Sequence, residues 1–400
     1  MIWKLAWQNL KGAGLRTWLN VLVLSFSFVV IVWHKGFLEG WNRQARTDTI
    51  QWELGAGQLW HQEYDPYDPY KLRESMAPMT SQMLEAQNKG QITPILITQA
   101  VVYPEGRMQN VFLKGIDPNQ SILNIPTQLL IPPDQPDPGI WDFVDGSIPA
   151  LVGTRMASNL KIKQGDTFTV RWRDSLGTFD ANEIVIVGLF KTSVPTVDVG
   201  QIWIPLNYLR SMMSVADQAT LMVVKQGTSL PKVDQPWVLK DHDALLAELD
   251  QIIKQKSIGG LVLYGLLLAL ALLALFDTQV LSVFRRQREI GTMMALGMAR
   301  REVIKLFTLE GTLTAILAAC LAALYGTPLL GWQAINGISM PEMSDGYGLA
   351  IADAIYPAFS LGLILTSSLI VILAATIVSY LPAHKIATMN PTDAIRGKLQ

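Results

Sequence analysis

Four stretches of the chain are apolar with no polar face, at about residues 15–37, 258–284, 306–330 and 355–381. Each exceeds the roughly 20 residues that carry a helix across a 30 Å hydrocarbon core, so each reads as a membrane span. The second would be roughly 40 Å long as a helix and is expected to project beyond the bilayer. Ahead of the first run, Ile2, Trp3, Leu5, Ala6 and Leu10 recur at helical-turn spacing beside Lys4 and Lys11. That pattern suits a short helix lying on the membrane surface. Between the first two runs the period changes. Residues 110–115, 166–172 and 183–188 read as strands, and the turn-rich 173–177 joins the last two as a short hairpin. Residues 126–146, rich in Pro and Asp, read as an irregular surface loop. Pro231 and Pro236 punctuate the chain before a helix that leads into the second span.

The expected fold class is an α-helical membrane protein with four transmembrane helices and a large extracytoplasmic α+β domain inserted between helices 1 and 2. Residues 1–37 form an interfacial helix and the first span, 38–257 the extracytoplasmic domain, and 258–400 the remaining spans. The inserted segment is long enough for one or two cores.

Charge sets the orientation. The N-terminus carries Lys4, Lys11 and Arg16 with no acid. Arg285, Arg286, Arg288, Arg300, Arg301 and Lys305 fall between the second and third. The third connection, 331–354, has Glu342, Asp345 and Asp353 and no Lys or Arg, and Lys385, Arg396 and Lys398 follow the fourth span against Asp393. Basic connections stay in the cytoplasm, which puts both termini inside and residues 38–257 outside. The first run is too long for a cleaved signal peptide and lacks a small-residue cleavage site, so it is expected to be retained.

Composition narrows the chemistry. Only 16% of the 400 residues are charged and the net charge is −1, which favours a membrane protein and gives no reason to expect a nucleic-acid partner. Cys320 is the single cysteine, and His34, His61, His242 and His384 are isolated in sequence. No phosphate-cradling P-loop, zinc motif or nucleophile elbow is present, so no catalytic residue and no metal ligand is assigned. Asp277 is the one acid well inside a span. An ionisable group there is a functional candidate, and a helix-to-helix hydrogen bond is the expectation preferred over a proton relay.

The most specific pattern lies in residues 285–311. Arg286, Glu289, Ile290 and Gly291 are followed by Ala295, Leu296 and Gly297, then by Arg300 and Arg301, then by Glu310 and Gly311. In that order they resemble the coupling segment of the FtsX-like permease family. Gly115-Ile116-Asp117-Pro118, with Gly153, Ala157, Leu160, Gly165 and Asp166, resembles the exported domain of MacB-like and lipoprotein-releasing permeases. Gly57 to Trp60 with Tyr64 resembles an early stretch of the latter. Leu381, Pro382, Ala383, Ala387 and residues 390–397 resemble the family's terminus.

The resemblance implies the permease subunit of a type VII ABC transporter, not itself an enzyme. Two copies of a cytoplasmic ABC ATPase would bind ATP and Mg; this chain would bind no cofactor. A second permease subunit, identical or paralogous, would complete the complex. Arg285, Arg286, Arg288, Glu289, Gly291, Ala295, Leu296, Gly297, Arg300, Arg301 and Glu310 would form the ATPase-coupling segment, with Glu310 pairing to one of its arginines. The implied work is extraction of a lipid-anchored or amphipathic cargo, foremost lipoprotein release from the inner membrane, with a periplasmic carrier or adaptor downstream. MacB-type export of peptides or drugs and FtsX-type mechanotransmission to a cell-wall hydrolase stay open. Phe26, Val29, Val30 and Trp33 on the first span, and Leu261, Tyr264 and Leu268 on the second, recur at spacings of three and four. With the resemblance, they suggest an apolar cargo vestibule.

The charge asymmetry yields a first prediction. An enzyme reporter active only outside the cytoplasm should work when fused at residue 137 or 344 and fail at 298 or 400. Activity at 298 would overturn the four-span topology.

Overall fold

The computed structural model describes residues 2–12, 14–132, 146–228, 235–339 and 354–387. The terminal motif at 390–397, the acids of the third connection and most of the 126–146 loop lie outside these residues. The helices used below are α1 (Ile2–Gly12), α2 (Leu15–Thr49), α3 (His242–Arg285), α4 (Gln287–Ala295), α5 (Arg300–Asn336) and α6 (Leu361–Ala387). Of these, α2, α3, α5 and α6 are long and apolar enough to cross a membrane. The chain divides into two compact units. One comprises Met1–Asn42, Ile252–Ile338 and Ile355–Gln400; the other comprises Arg43–Gln251 and Ser339–Ala354.

The first unit is built on small residues. Val21, Leu24, Phe28 and Ile31 of α2, Tyr264, Ala271 and Leu275 of α3, Ala315, Ala318 and Ala322 of α5, and Val371 and Ala375 of α6 share one buried cluster. Helices α5 and α6 pack against each other. Gly311 lets them approach, since a Cβ there would stand 2.0 Å from Ser379 Oγ, and the hydroxyls of Thr312 and Thr376 meet at 3.0 Å. Small side chains at such a crossing let backbones come within dispersion range, which drives helix association where no hydrophobic effect operates.

The apolar prelude forms a short helix of its own, α1, as its spacing predicts, and its Ala6 is buried with Leu306 and Leu313 of α5. Two boundaries differ from expectation. The fourth run is not helical from 355. Residues 356–359 run along α2, where Ala358 N donates to Gly36 O at 2.9 Å, and a Cβ on Gly40 would stand 2.1 Å from Tyr356 O. Ser360 then starts α6, its hydroxyl accepting from Leu363 N at 3.1 Å. The second span is part of one 44-residue helix, about 66 Å long at 1.5 Å per residue, rather than a span preceded by a distinct helix.

The second unit holds a nine-stranded sheet. Its strands are β1 (Gln58–His61), β2 (Ile92–Val102), β3 (Gln109–Ile116), β4 (Ile148–Gly153), β5 (Thr167–Arg173), β6 (Phe179–Phe190), β7 (Gln201–Pro205), β8 (Leu221–Val224) and β9 (Trp237–Lys240). The order is β9-β1-β8-β2-β3-β7-β4-β6-β5. The start of β2 pairs with β8, whereas Ala100–Val102 at its end pair with Val170–Trp172 of β5. The strands from β2 to β5 therefore close into a six-stranded barrel, which removes their free edges. Side chains alternate across the sheet: Ile202 and Ile204 join a cluster with Leu96, Leu113 and Ile184, while Trp203 between them joins Ile97, Ile116 and Val187 on the other face.

The resemblance residues in this unit have structural explanations. Gly115 lies against Leu209, with 3.0 Å from a would-be Cβ to the Leu209 side chain, and Asp117 accepts from Asn119 N at 2.9 Å. Gly153 has no room for a side chain because Asp198 fills it. Asp198 is fully buried and accepts from the Arg155 guanidinium at 2.7 Å. Where α2 ends, a π-helical turn at Ile50–Leu54 places Glu53 near the sheet. Its carboxylate accepts from Thr196 Oγ1 at 2.6 Å and stands 3.9 Å from Lys114 Nζ. Burial pushes the Lys114 ammonium below its usual pKa, and Glu53 pulls it back up.

Removing one member of a buried ion pair strands the other and costs about 3–5 kcal/mol. Asp198→Ala in the full chain should therefore open the sheet unit to trypsin at a denaturant concentration the wild type resists. Equal resistance would show that the pair contributes little.

Candidate functional site

The basic connection folds into a compact elbow. α3 stops at Arg285, α4 runs for nine residues, and α5 starts at Arg300. The inner face of α4 is apolar: Ile290 is buried with Val283, Val303, Phe307 and Ala383, and Gly291 is buried beside it. α4 ends on the Ala295-Leu296-Gly297 turn, where Gly297 takes φ +99°, a left-handed value that favours glycine.

Arg286 holds the elbow together. Its guanidinium donates to both Glu310 oxygens at 3.1 Å and to Glu289 Oε2 at 2.8 Å. It also lies 5.0 Å over the Phe307 ring. Asn9 of α1 donates to Glu310 Oε1 at 2.6 Å. One carboxylate thus ties together α1, the α3–α4 junction and α5. Sequence reasoning missed Asn9, since it lies 301 residues from its partner; the only hint was its place one turn after Ala6.

Apart from the buried Gly291, the other predicted coupling residues face outward. Arg285, Arg288, Arg300, Arg301 and Lys305 are exposed, as is Ala295. Leu296 is 84% exposed. The elbow therefore presents an apolar tip beside exposed guanidinium groups on a rigid frame. Such a surface fits an acidic groove with an apolar floor. Arg286 and Glu310 belong to the frame, not to that surface.

The vestibule residues do not form one lining. Val29 and Tyr264 are buried at 7% and 8% exposure, and Trp33 and Leu268 pack against their cluster. Phe26 and Leu261, each 63% exposed, point away from it. The α3 seam runs through Gly260, which meets Leu38, and through Tyr264, Leu268, Ala271 and Leu275. The sequence stripe was one residue out of phase at 261, a turn of about 100°. Val30 is half-buried. Asp277 also corrects an expectation. It is exposed on α3 with no hydrogen-bond partner among the described residues, because its side of the helix, with Leu273 and Leu281, faces away from the bundle. Among the described residues no group of three His, Cys, Asp or Glu side chains could hold a metal.

Comparison with known proteins bears on residues 261–391, which match the FtsX-like permease C-terminal family. The lipoprotein-releasing system transmembrane protein LolC of Xylella fastidiosa (strain Temecula1) is 22% identical over 325 residues, covering 76% of this chain and 76% of that protein. The uncharacterized ABC transporter permease YknZ of Bacillus subtilis (strain 168) is 20% identical over 287 residues, covering 64% of this chain and 63% of that one. The crystal structure of the extracellular domain of the noncanonic ABC-type transporter YknZ aligns at 13% identity over 43% of this chain and 84% of its own, with a TM-score of 0.27. A likeness that low carries no weight here.

The elbow geometry separates two classes of arginine. Arg286→Glu should destabilise the helical unit by about 3 kcal/mol or more, read as a lower melting temperature of the purified chain in detergent. Arg288→Glu should leave that temperature unchanged. Equal stability of the two variants would contradict the frame assigned to Arg286.

Proposed function

The chain belongs to the FtsX-like permease family of ABC transporters, and we propose that it passes the motion of a cytoplasmic ATPase to an extracytoplasmic sheet domain lying between its first and second spans. The observation that carries this reading is the continuity of α3: one 44-residue helix runs from the elbow to His242 without a break. A helix held at one end by Arg286 and Glu310 acts as a lever. Two ATPase subunits supply the ATP and Mg site, and this chain, which has no P-loop, contributes no catalytic residue. A second permease subunit, identical or paralogous, completes the complex. Both termini lie in the cytoplasm.

The exposed residues Arg285, Arg288, Arg300 and Arg301, with Leu296 at the tip, dock on the ATPase. The cargo is lipid-anchored or amphipathic, and lipoprotein release from the inner membrane is the favoured case. The support is the likeness to LolC over three quarters of both chains. A periplasmic carrier or adaptor would take the cargo onward. An acyl chain would enter by parting α2 from α3 beside Val30, Trp33, Tyr264 and Leu268, whereas Val29 packs against Gly326 of α5. That seam is packed here, so cargo would enter only when α2 and α3 separate.

Losing paired charges at an interface costs about 2–5 kcal/mol. The Arg288→Glu/Arg300→Glu/Arg301→Glu variant should insert normally and lose co-purification with the ATPase; unchanged co-purification would reject the docking surface. For the cargo seam, Val30→Asp or Leu268→Asp should abolish photo-cross-linking of acylated cargo, since each buried methylene is worth about 0.8 kcal/mol. If cargo still cross-links and is released at the normal rate in both variants, it binds elsewhere.

A further inference from the structure

We propose that a polar recess in the sheet unit binds one pyranose ring of a glycan. The recess has a volume of about 270 Å³, a little below the roughly 300–1,000 Å³ of pockets that take drug-sized ligands, so it suits a single ring. It lies where the short helix Ser81–Asn88 ends, beside the start of β2 and the loop that follows β3. Ile92 and Thr93 are buried at its base, and Asn88, Asn119 and Ser121 are exposed at its rim.

The recess combines a fixed frame with free hydrogen-bonding groups. Gln120 is used up in shaping the loop: its Oε1 accepts from Ile122 N at 2.7 Å and Leu123 N at 2.8 Å, and its Nε2 donates to Leu123 O at 3.0 Å. Asp117 accepts from Asn119 N at 2.9 Å with Oδ1 and from Gln87 Nε2 at 3.1 Å with Oδ2. Those two bonds fix the carboxylate, and each oxygen keeps a lone pair for a ligand. Gln87 Oε1 and the side chains of Asn88, Asn119 and Ser121 form no hydrogen bond among the described residues.

That inventory selects the ligand. The described lining holds no Lys, Arg or His, so an anion would meet Asp117 with no compensating charge. One carboxylate is too few for a calcium ion, which gathers about 6–8 oxygens, commonly from several carboxylates. The Asp117 charge is also partly answered already. Burial lowers the Arg210 pKa, and Asp217 and then Asp117 raise it back, so Arg210 lies within the field of Asp117, which argues against a cationic ligand. Ile92 and Ile122 are the apolar side chains of the lining, too little surface for an acyl chain. A peptide strand has no edge to join here, because the start of β2 is paired with β8 on one side and β3 on the other. What fits is a compact neutral molecule rich in hydroxyls. Amides and hydroxyls donate and accept at once, as sugar hydroxyls do, and a fixed carboxylate accepts from a neighbouring pair of them. The exposed rim leaves the rest of a glycan chain in solvent. The site is independent of the lever and cargo readings.

The test is saturation-transfer NMR on the full chain in a phosphocholine detergent, since the headgroup of a maltoside would compete. The probes are the methyl glycosides of glucose, galactose, mannose and N-acetylglucosamine. At least one should receive saturation from wild type, with a millimolar dissociation constant. Asn88→Ala/Asn119→Ala/Ser121→Ala should weaken that binding by about tenfold or more at an unchanged melting temperature, because those side chains make no hydrogen bond within the fold. Asn182→Ala, on β6, should leave binding unaltered. Absence of transfer to all four glycosides, or undiminished transfer in the triple variant, would overturn the site. Transfer to trialanine in place of the glycosides would overturn the sugar assignment.

Discussion

The helical unit depends on one carboxylate. Glu310 accepts from Arg286 at the α3–α4 junction and from Asn9 on α1, and it stands at the start of the membrane segment of α5. A largely buried carboxylate is tolerated only when charged partners and hydrogen bonds replace its water, so the three elements must meet correctly or not at all. The Phe307 ring below Arg286 and the Ile290, Val283 and Val303 cluster fill the space around the pair. A short basic connection, which by itself would be a loose loop, becomes a rigid bracket between two long helices.

That constraint explains why the basic residues divide into two groups. Arg286 is consumed internally, while Arg285, Arg288, Arg300 and Arg301 stay free at the surface. The same logic recurs in the sheet unit. Arg155 and Asp198 form a fully internal pair, and Lys114 with Glu53 joins the π-turn at the end of α2 to strand β3. A π-turn widens the backbone at that point and sets Glu53 within reach of the sheet. In both units these buried ion pairs connect separate elements of chain.

Local features were legible from sequence, and long-range ones were not. The four apolar runs, the hairpin turn at 173–177 and the elbow motif depend on residues near each other in sequence. Glu310 could be matched to an arginine because Arg286 lies only 24 residues before it. The barrel closure could not be read, since it pairs residue 100 with residue 172 and no local pattern marks it. Continuity of α3 was hidden because Asp243, Glu248, Asp250, Lys254 and Lys256 make its first turns polar, and hydropathy alone stops the helix at 258. The phase error at Leu261 has a similar cause: α3 is apolar on all sides, so its packed face is set by where Gly260 meets Leu38, which spacing does not reveal. Asp277, for which a helix-to-helix hydrogen bond was expected, is exposed on α3.

The central claim is that α3 acts as a stiff lever between the elbow and the sheet unit. Inserting two glycines after Ile253 would leave the elbow, the spans and the sheet intact while making the lever flexible. The direct measurement is cargo released per ATP hydrolysed by the reconstituted complex. The lever account predicts that hydrolysis continues while release falls to background. Wild-type release per ATP from the insertion variant would contradict it.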